Sequence, residues 1–475
     1  MNRIVSANRV ATLVGDFNRS PAYAGLADTL RQLIGDGRIA LDTRLPSERD
    51  LTDVLAVSRT TVTRAYAELR DRGFAEARQG AGTFTRIPGG RSAVVDRALS
   101  PRSDEGLIDL NCAAPSAPPG LSTAYEEAVA ELPAYFSGHG YYPAGLPELQ
   151  AAIAATYDDR GLPTSPDQIL VTAGALSAGA VVAQAFAAAG DKVLVENPVY
   201  PNATKALAHR GARLIGAPVD PDGWDLDAID AVVRQSSPRL AYLIPDFQNP
   251  TGHVMTAEQR ARYAASLARA HTTAIIDEAH VALSLDGEPM PPPFATFARD
   301  AITIGSASKA FWGGLRLGWI RAPEAKVAAL TQSRLSLDLG APVLEQLVLT
   351  RLLRDPEPIL VANRERLREQ RDHLAAALRT HLPEWRFRMP TGGLALWCEL
   401  PAPLATGLVA EAERRGVVVA PGSVFAVEGG FERFVRIPWT RPAEELEQAV
   451  LHLAEAWAVA RDVQDRRRRP RITVA

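Results

Sequence analysis

Two kinds of periodicity divide the chain. In residues 45–82, LPSERDLTDVLAVSRTTVTRAYAELRDRGFAEARQGAG, apolar residues recur at helical spacing. Ser47 followed three residues later by Asp50 is a capping-box pattern, and it predicts a helix over about Glu48–Leu55. A three-residue turn follows. Ser58 then stands where it can cap a second helix over about Arg59–Arg70, in which Val62, Ala65, Tyr66 and Leu69 share one face. Thr60, Thr63, Arg64 and Ala67 fall on the opposite face. Gly73, then Gly80 and Gly82 around a short strand pattern, predict a hairpin. From Ile108 onward helical patterns alternate with short apolar runs: KVLVE at 192–196, RLAYLIP at 239–245, TTAIIDE at 272–278 and AITIGS at 301–306. Runs of that length separated by helices predict a mostly parallel sheet covered on both faces. Between the two regions, residues 87–107 hold Pro, Gly, Ser and mixed charge without sustained periodicity, which predicts a linker. The expected organisation is a small head at 15–86, a linker at 87–107, a large body at 108–460 and a basic tail at 461–475. The run RRRRPR at 466–471 reads as a solvated end.

Composition sharpens this picture in three places. With 475 residues, 47% of them apolar and 23% charged, the chain has the make-up of a globular protein of two or three structural units. The net charge of −3 conceals an asymmetry, because residues 1–92 sum to +4 and the remainder to −7. A basic head on an acidic body points to nucleic-acid contact by the head. Only four of the 52 basic residues are lysine: Lys192, Lys205, Lys309 and Lys326. The two cysteines, Cys112 and Cys398, have no metal-ligand spacing, so no metal site is expected and a reducing, cytoplasmic setting is. The N-terminus lacks the apolar core and cleavage pattern of a signal peptide. The most apolar stretch, 169–189, contains Thr172, Ser177 and Gln184, so a buried helix is expected there rather than a membrane span.

In the head, the second helix presents hydroxyls and basic groups from its first turn. A recognition helix has this arrangement: its N-terminal residues meet base edges in the major groove while its apolar face holds the domain together. Arginine can bind guanine at two points, and threonine can bond base or phosphate. The assembly LPSER…VSRTTV…G…QGAGTF resembles the GntR family of bacterial regulators over roughly residues 20–86. That resemblance implies a winged helix-turn-helix domain whose DNA-facing residues include Arg49, Ser58, Arg59, Thr60, Thr63 and Arg64, with Gly82 in the wing and double-stranded DNA as partner.

The small number of lysines narrows the search for chemistry in the body. Lys309 alone sits in a turn of small polar residues after an apolar strand, in AITIGSASKAFWGGLRLGW. An amine that condenses with an aldehyde has to be held rigidly and kept partly unprotonated by burial or neighbouring cations. Ser306, Ser308 and Arg316 are close enough in sequence to bind one phosphate with it. Asp277 ends TTAIIDE, at the C-terminal end of a predicted parallel strand, where open α/β sheets bind ligands. The turn TAGALSAG precedes a helix, and the N–H groups of Gly174, Ala175 and Leu176 can hold an anion there. Asn249 in DFQNPTG is a donor for a phenolate oxygen, Tyr200 in ENPVY a ring for stacking, and Arg436 in FVRIPWTR a grip for a carboxylate.

In this order and spacing, the motifs resemble fold-type I pyridoxal-phosphate enzymes of the class I aminotransferase group over about residues 108–460. The resemblance implies pyridoxal 5′-phosphate as cofactor, bound covalently through Lys309. Asp277 would meet its ring nitrogen, Asn249 its phenolic oxygen, Tyr200 its ring, and Ser306, Ser308, Arg316, Gly174 and Ala175 its phosphate. Arg436 would take a substrate carboxylate. The sequence departs from the family at two points. His280 stands where a tyrosine usually shares the phenolic oxygen; histidine can donate the same bond, but with a pH-sensitive charge. Gly140 stands where a tyrosine usually reaches the phosphate of a neighbouring subunit, with Tyr141 and Tyr142 beside it. Both departures bear on transamination more than on cofactor binding.

The expected fold is thus an α+β winged helix-turn-helix domain followed by a large α/β fold-type I domain, a combination that resembles the MocR subfamily of GntR regulators. It implies a homodimeric transcription regulator in which pyridoxal phosphate or a small amino compound biases how two heads sit on DNA. Weak or absent aminotransferase activity is expected. Two alternatives stay open on the sequence: a working aminotransferase with a secondary head, and a DNA-binding protein whose body is only a dimerisation scaffold.

Overall fold

The computed structural model describes residues 4–35, 38–78, 80–86, 88 and 107–468. Two compact units emerge, one within residues 1–103 together with 116–127, the other within 104–115 together with 128–475. Most of the expected linker, and residues 469–475 of the expected tail, lie outside the described residues. The preceding part of that tail continues the last helix, Ala443–Arg468.

The head unit holds helices Ala7–Val14, Ala22–Gly35, Glu48–Leu55 and Arg59–Asp71, then an antiparallel hairpin of Ala75–Arg78 with Gly82–Thr85. Three of the helices start on serine caps. Ser6, Ser47 and Ser58 accept from the N–H groups of Arg9, Asp50 and Thr61, satisfying donors that a helix start leaves without partners. Ala56, at φ 51°, breaks the third helix and opens the turn. The apolar faces meet in one cluster containing Leu26, Leu30, Leu51, Val62, Ala65, Tyr66 and Leu69. Each large side chain removed from water there contributes about 1.5–3 kcal/mol. Tyr66 is buried, and its hydroxyl donates to the Pro46 carbonyl at 2.9 Å, tying the second helix of the motif to the LPSER loop. Two of the expected boundaries shift. Val10 and Val14 of the first helix belong to the head core, so the head begins before residue 15. Residues 116–127 join the head unit, where Arg31 pairs with Glu126 at 2.9 Å, so 108–460 is not one continuous unit.

The body is built on an eight-stranded sheet. Its order is Ile169–Thr172, Gly318–Arg321, Ile302–Ser306, Thr273–Asp277, Leu240–Leu243, Lys192–Asn197, Arg213–Asp220 and Gly223–Trp224. The five central strands, from Ile302–Ser306 to Arg213–Asp220, run parallel. Gly318–Arg321 is antiparallel to both its neighbours, and Gly223–Trp224 is antiparallel at the far edge. Helices cover the sheet. Ala175–Phe186 contributes Ala178, Val181 and Val182 to a core shared with Val193, Val195, Ile275 and Ile304. A smaller layer follows: an antiparallel sheet of Ala395–Glu399, Phe434–Pro438 and Ala420–Pro421, packed with helices Glu357–His381, Ala405–Arg414 and Ala443–Arg468 around Trp439, Leu446 and Trp457. Among the described residues no helix is long and apolar enough to cross a membrane. Cys112 is exposed and Cys398 buried, and both are free thiols.

Candidate functional site

The parallel strands end at a common edge, and the body's predicted polar residues gather there. Strand Ile302–Ser306 passes straight into the short helix Ala307–Ala310, started by the Ser306 hydroxyl accepting from the Ser308 N–H at 3.2 Å. Lys309 lies in that turn, and its Nζ donates to the Ala113 carbonyl at 2.7 Å. Burial lowers the amine's pKa, and the positive charges of Arg436 and Arg316 lower it further against Asp277. Ser306 and Ser308 are both buried.

Asp277 closes its strand as a buried carboxylate. Its Oδ2 accepts from the Tyr242 hydroxyl at 2.5 Å and its Oδ1 from the Ala279 N–H at 2.9 Å. Burial raises its pKa, while those two donors pull the other way. Tyr242 was not foreseen. It sits in an otherwise apolar strand, where an aromatic residue reads as core, and only the parallel register with Thr273–Asp277 brings its hydroxyl to the carboxylate.

Gly174 precedes the helix Ala175–Phe186 at φ 93°, a conformation that side chains disfavour. A Cβ on it would lie 2.8 Å from Arg316 Nη2, so the guanidinium rests directly on the glycine face. Arg316 itself is left-handed, at φ 50°, and donates to the Ala173 carbonyl at 3.3 Å. Gly318 runs beneath this turn so closely that a Cβ would meet Ala175 N, the Gly174 carbonyl carbon and Gly305 O at 2.7 Å each. The result is a helix N-terminus with its N–H groups, and an arginine laid across it.

Arg436 is buried and donates through Nη1 to Asn249 Oδ1 at 3.3 Å and through Nη2 to the Asn111 carbonyl at 2.5 Å. Its Nε is buried without a protein partner. Burial lowers its pKa to about 10, which leaves it charged at neutral pH. Because Asn249 uses its carbonyl oxygen for Arg436, its NH2 end is the donor. The Tyr200 hydroxyl accepts from Asn202 at 3.1 Å. Tyr141 is exposed and stacked on His139, and Tyr142 lies edge-on to Tyr135.

His280 departs from expectation in two respects. Burial, together with the charges of Lys309 and Arg436, lowers its pKa to about 3, so its charge does not vary around neutral pH. Its Nδ1 lies 3.2 Å from the Phe247 carbonyl, which can only accept. Nδ1 therefore carries the proton, and in a neutral ring Nε2 is then an acceptor. A tyrosine hydroxyl would donate there; this histidine does not.

In the head, Arg49, Ser58, Arg59, Thr60, Thr63, Arg64 and Gly82 are all exposed. Two of them are already engaged. The Thr63 hydroxyl donates to Glu48 at 2.7 Å, and the Arg64 guanidinium lies 3.8 Å over the Tyr23 ring. Gly82, at φ 109°, faces Arg44, whose Nε would be 3.0 Å from a Cβ at that position. Arg44 is thus a further exposed cation beside the wing, one that sequence reasoning passed over.

A capped helix-turn-helix with a hairpin wing, joined to a parallel α/β sheet beside which a half-buried lysine, a buried aspartate, a buried arginine and an exposed one gather, defines a regulator head on an aminotransferase-like body. Residues 22–85 match the bacterial regulatory proteins of the gntR family, and residues 123–453 match aminotransferase class I and II. The chain belongs to the class I and II aminotransferase family through its body, and with its GntR head it is a MocR-like transcription regulator. It is 30% identical over 462 residues to YdcR of Escherichia coli K12, an uncharacterized HTH-type transcriptional regulator, spanning 91% of this chain and 98% of that one. With the probable rhizopine catabolism regulatory protein MocR of Rhizobium meliloti it shares 28% identity over 64% of this chain and 66% of that one. The body superposes with a TM-score of 0.69 on LysN, an alpha-aminoadipate aminotransferase of Thermus thermophilus solved with N-(5'-phosphopyridoxyl)-L-leucine, at 29% identity over 76% of this chain and 94% of that one.

Proposed function

We propose that this regulator binds pyridoxal 5′-phosphate in its body, senses the cofactor or a small amino compound there, and transmits occupancy to a DNA-binding head. The observation that carries the reading is the convergence of a half-buried Lys309, whose pKa burial lowers, with the Gly174–Arg316 anion cradle and the partnerless Nε of Arg436. These residues fit the cofactor's chemistry. Arg316 and the N–H groups from Ala175 onward suit a phosphate. Asp277, whose carboxyl accepts from Tyr242 and Ala279, suits a protonated ring nitrogen. Tyr200 offers a ring face, and the Asn249 amide a donor. Arg436 keeps one N–H for the carboxylate of an amino acid. When bound, the cofactor supplies an aldehyde carbon and an electron-withdrawing ring. Lys309, whose pKa burial lowers, is the amine that would anchor it.

Ligand exchange at Lys309 is expected to persist while transamination is slow. His280 offers an acceptor where the enzymes place a donor, and a sensor gains nothing from rapid release, since occupancy is its output. A ligand shifts the heads only by binding one arrangement better than another. A cytoplasmic homodimer suits this role, because two-fold symmetry supplies paired recognition helices. The exposed Leu335, Leu337, Leu339 and Phe136 support such an association of bodies. The test is to titrate amino acids and other primary amines into the cofactor-loaded full chain bound to DNA from its own promoter region, while measuring turnover with 2-oxo acids. Amine-dependent change in DNA affinity with negligible turnover supports a sensor. Turnover of about 1–1000 per second supports the enzyme alternative instead.

A further inference from the structure

Glu196 is fully buried near the end of strand Lys192–Asn197. Its carboxylate receives three hydrogen bonds. Trp224 Nε1 donates to one oxygen at 2.8 Å; Gln248 Nε2 at 3.1 Å and the Ile244 N–H at 3.3 Å donate to the other. Gln248 is the residue before Asn249. Its NH2 also donates to the Pro198 carbonyl at 2.8 Å, and its own oxygen accepts from the Thr251 N–H at 3.0 Å and hydroxyl at 2.7 Å. Pro198 lies in the loop that carries Tyr200. One carboxylate and one amide thus brace the loop of Tyr200 against the loop of Asn249. All three groups aimed at Glu196 are donors, so a protonated acid, or a glutamine, would turn a hydrogen toward hydrogens.

We propose that ionised Glu196 is a positioning residue that, through Gln248, sets Asn249 and Tyr200 for pyridoxal phosphate, an inference that rests on the cofactor reading above. Groups around the carboxylate reinforce its sensitivity to protonation. Tyr242 on the neighbouring strand, Asp277 on the strand beyond it, Tyr263 from the helix Ala257–Arg269, and His253 packed edge-on to Trp224 surround the brace. Burial pushes the Glu196 carboxyl up to about 7, with Asp277 adding to the rise against the three donors. The brace therefore gains and loses its charge within the neutral range, and cofactor affinity follows it.

The experiment measures the dissociation constant of pyridoxal phosphate by visible absorbance between pH 5.5 and 8.5 for the wild type, Glu196→Gln and Trp224→Phe. At pH 8.5 Glu196→Gln is expected to bind about tenfold more weakly, the size of one hydrogen bond to a charged acceptor. The ratio to wild type falls toward one as the pH drops through 7, because the wild-type carboxyl then becomes neutral as well. Trp224→Phe removes one stabilising donor, so its affinity begins to fall at a higher pH than that of the wild type. A ratio for Glu196→Gln that is one throughout, or constant with pH, overturns the proposal. So does a Trp224→Phe profile that superimposes on the wild type, and this variant decides alone if Glu196→Gln does not fold. A wild type that binds no cofactor refutes the cofactor reading itself, a result distinct from either.

Discussion

Removing a single oxygen atom tests how the site keeps its electrostatics. Tyr242→Phe deletes the hydroxyl that donates to Asp277 Oδ2 at 2.5 Å and leaves the ring in the same core. The carboxylate then retains one donor, the Ala279 N–H. A hydrogen bond to a charged acceptor contributes about 1.5–3 kcal/mol, so a ligand that depends on an ionised Asp277 should bind about 10–100-fold more weakly. The pH dependence carries the sign. Burial already raises the Asp277 pKa, and Tyr242 opposes that rise. Without Tyr242 the pKa moves further up, and cofactor affinity is lost at a higher pH as the solution is acidified. The assay is a titration of apo-protein with pyridoxal phosphate, followed at the visible band of bound cofactor across pH 5–9, with thermal melting as a check on the fold. Affinity within twofold of the wild type, with an unshifted pH profile, would refute the claim that Tyr242 keeps Asp277 charged.

Three further outcomes are expected. Lys309→Ala should abolish the visible band of bound cofactor; a band of unchanged position and intensity would remove Lys309 from its role. Arg59→Ala and Arg64→Ala should each weaken DNA binding by on the order of 1–3 kcal/mol in a mobility-shift titration while leaving that band intact, and wild-type binding by both would mean that the recognition surface lies elsewhere. His280, depressed from 6.5 to about 3, stays neutral in the native state while the unfolded chain takes up a proton. Its contribution to stability is complete above about pH 6.5 and is lost as the pH falls toward 3, by at most about 5 kcal/mol. Urea denaturation of His280→Gln should accordingly show less acid destabilisation than the wild type, and parallel curves would contradict this.

The parts of the molecule that were legible in the sequence depend on local rules. Ser47 and Ser58 announced their helices because a cap is read over three residues, and both helices start where those serines predict. Lys309 was conspicuous because it competed with only three other lysines. What escaped depends on register and environment. Tyr242 becomes a partner of Asp277 only after two parallel strands align. The protonated nitrogen of His280 is fixed by a carbonyl 33 residues away in sequence. Glu196 and Gln248 resemble ordinary strand and turn residues until their loops meet. The short helix Ala7–Val14 was overlooked because its value lies in Val10 and Val14 reaching a core assembled by later segments.

The scarcity of lysine has a consequence for selectivity. Pyridoxal phosphate in solution is an aldehyde, and it condenses with any accessible amine that sheds its proton. Here Lys192 is bonded to the Ser236 carbonyl, Lys205 to Asn202, and Lys326 to Asp300, while Lys309 lies half-buried beside Asp277 and Arg436 and burial lowers its pKa. Arginine carries nearly all the remaining positive charge and forms no such adduct under mild conditions. A chain composed in this way gives little background labelling by free aldehyde. In the proposed role, covalent occupancy of Lys309 would then report the concentration of the cofactor at one address, rather than the sum of many indifferent surface reactions.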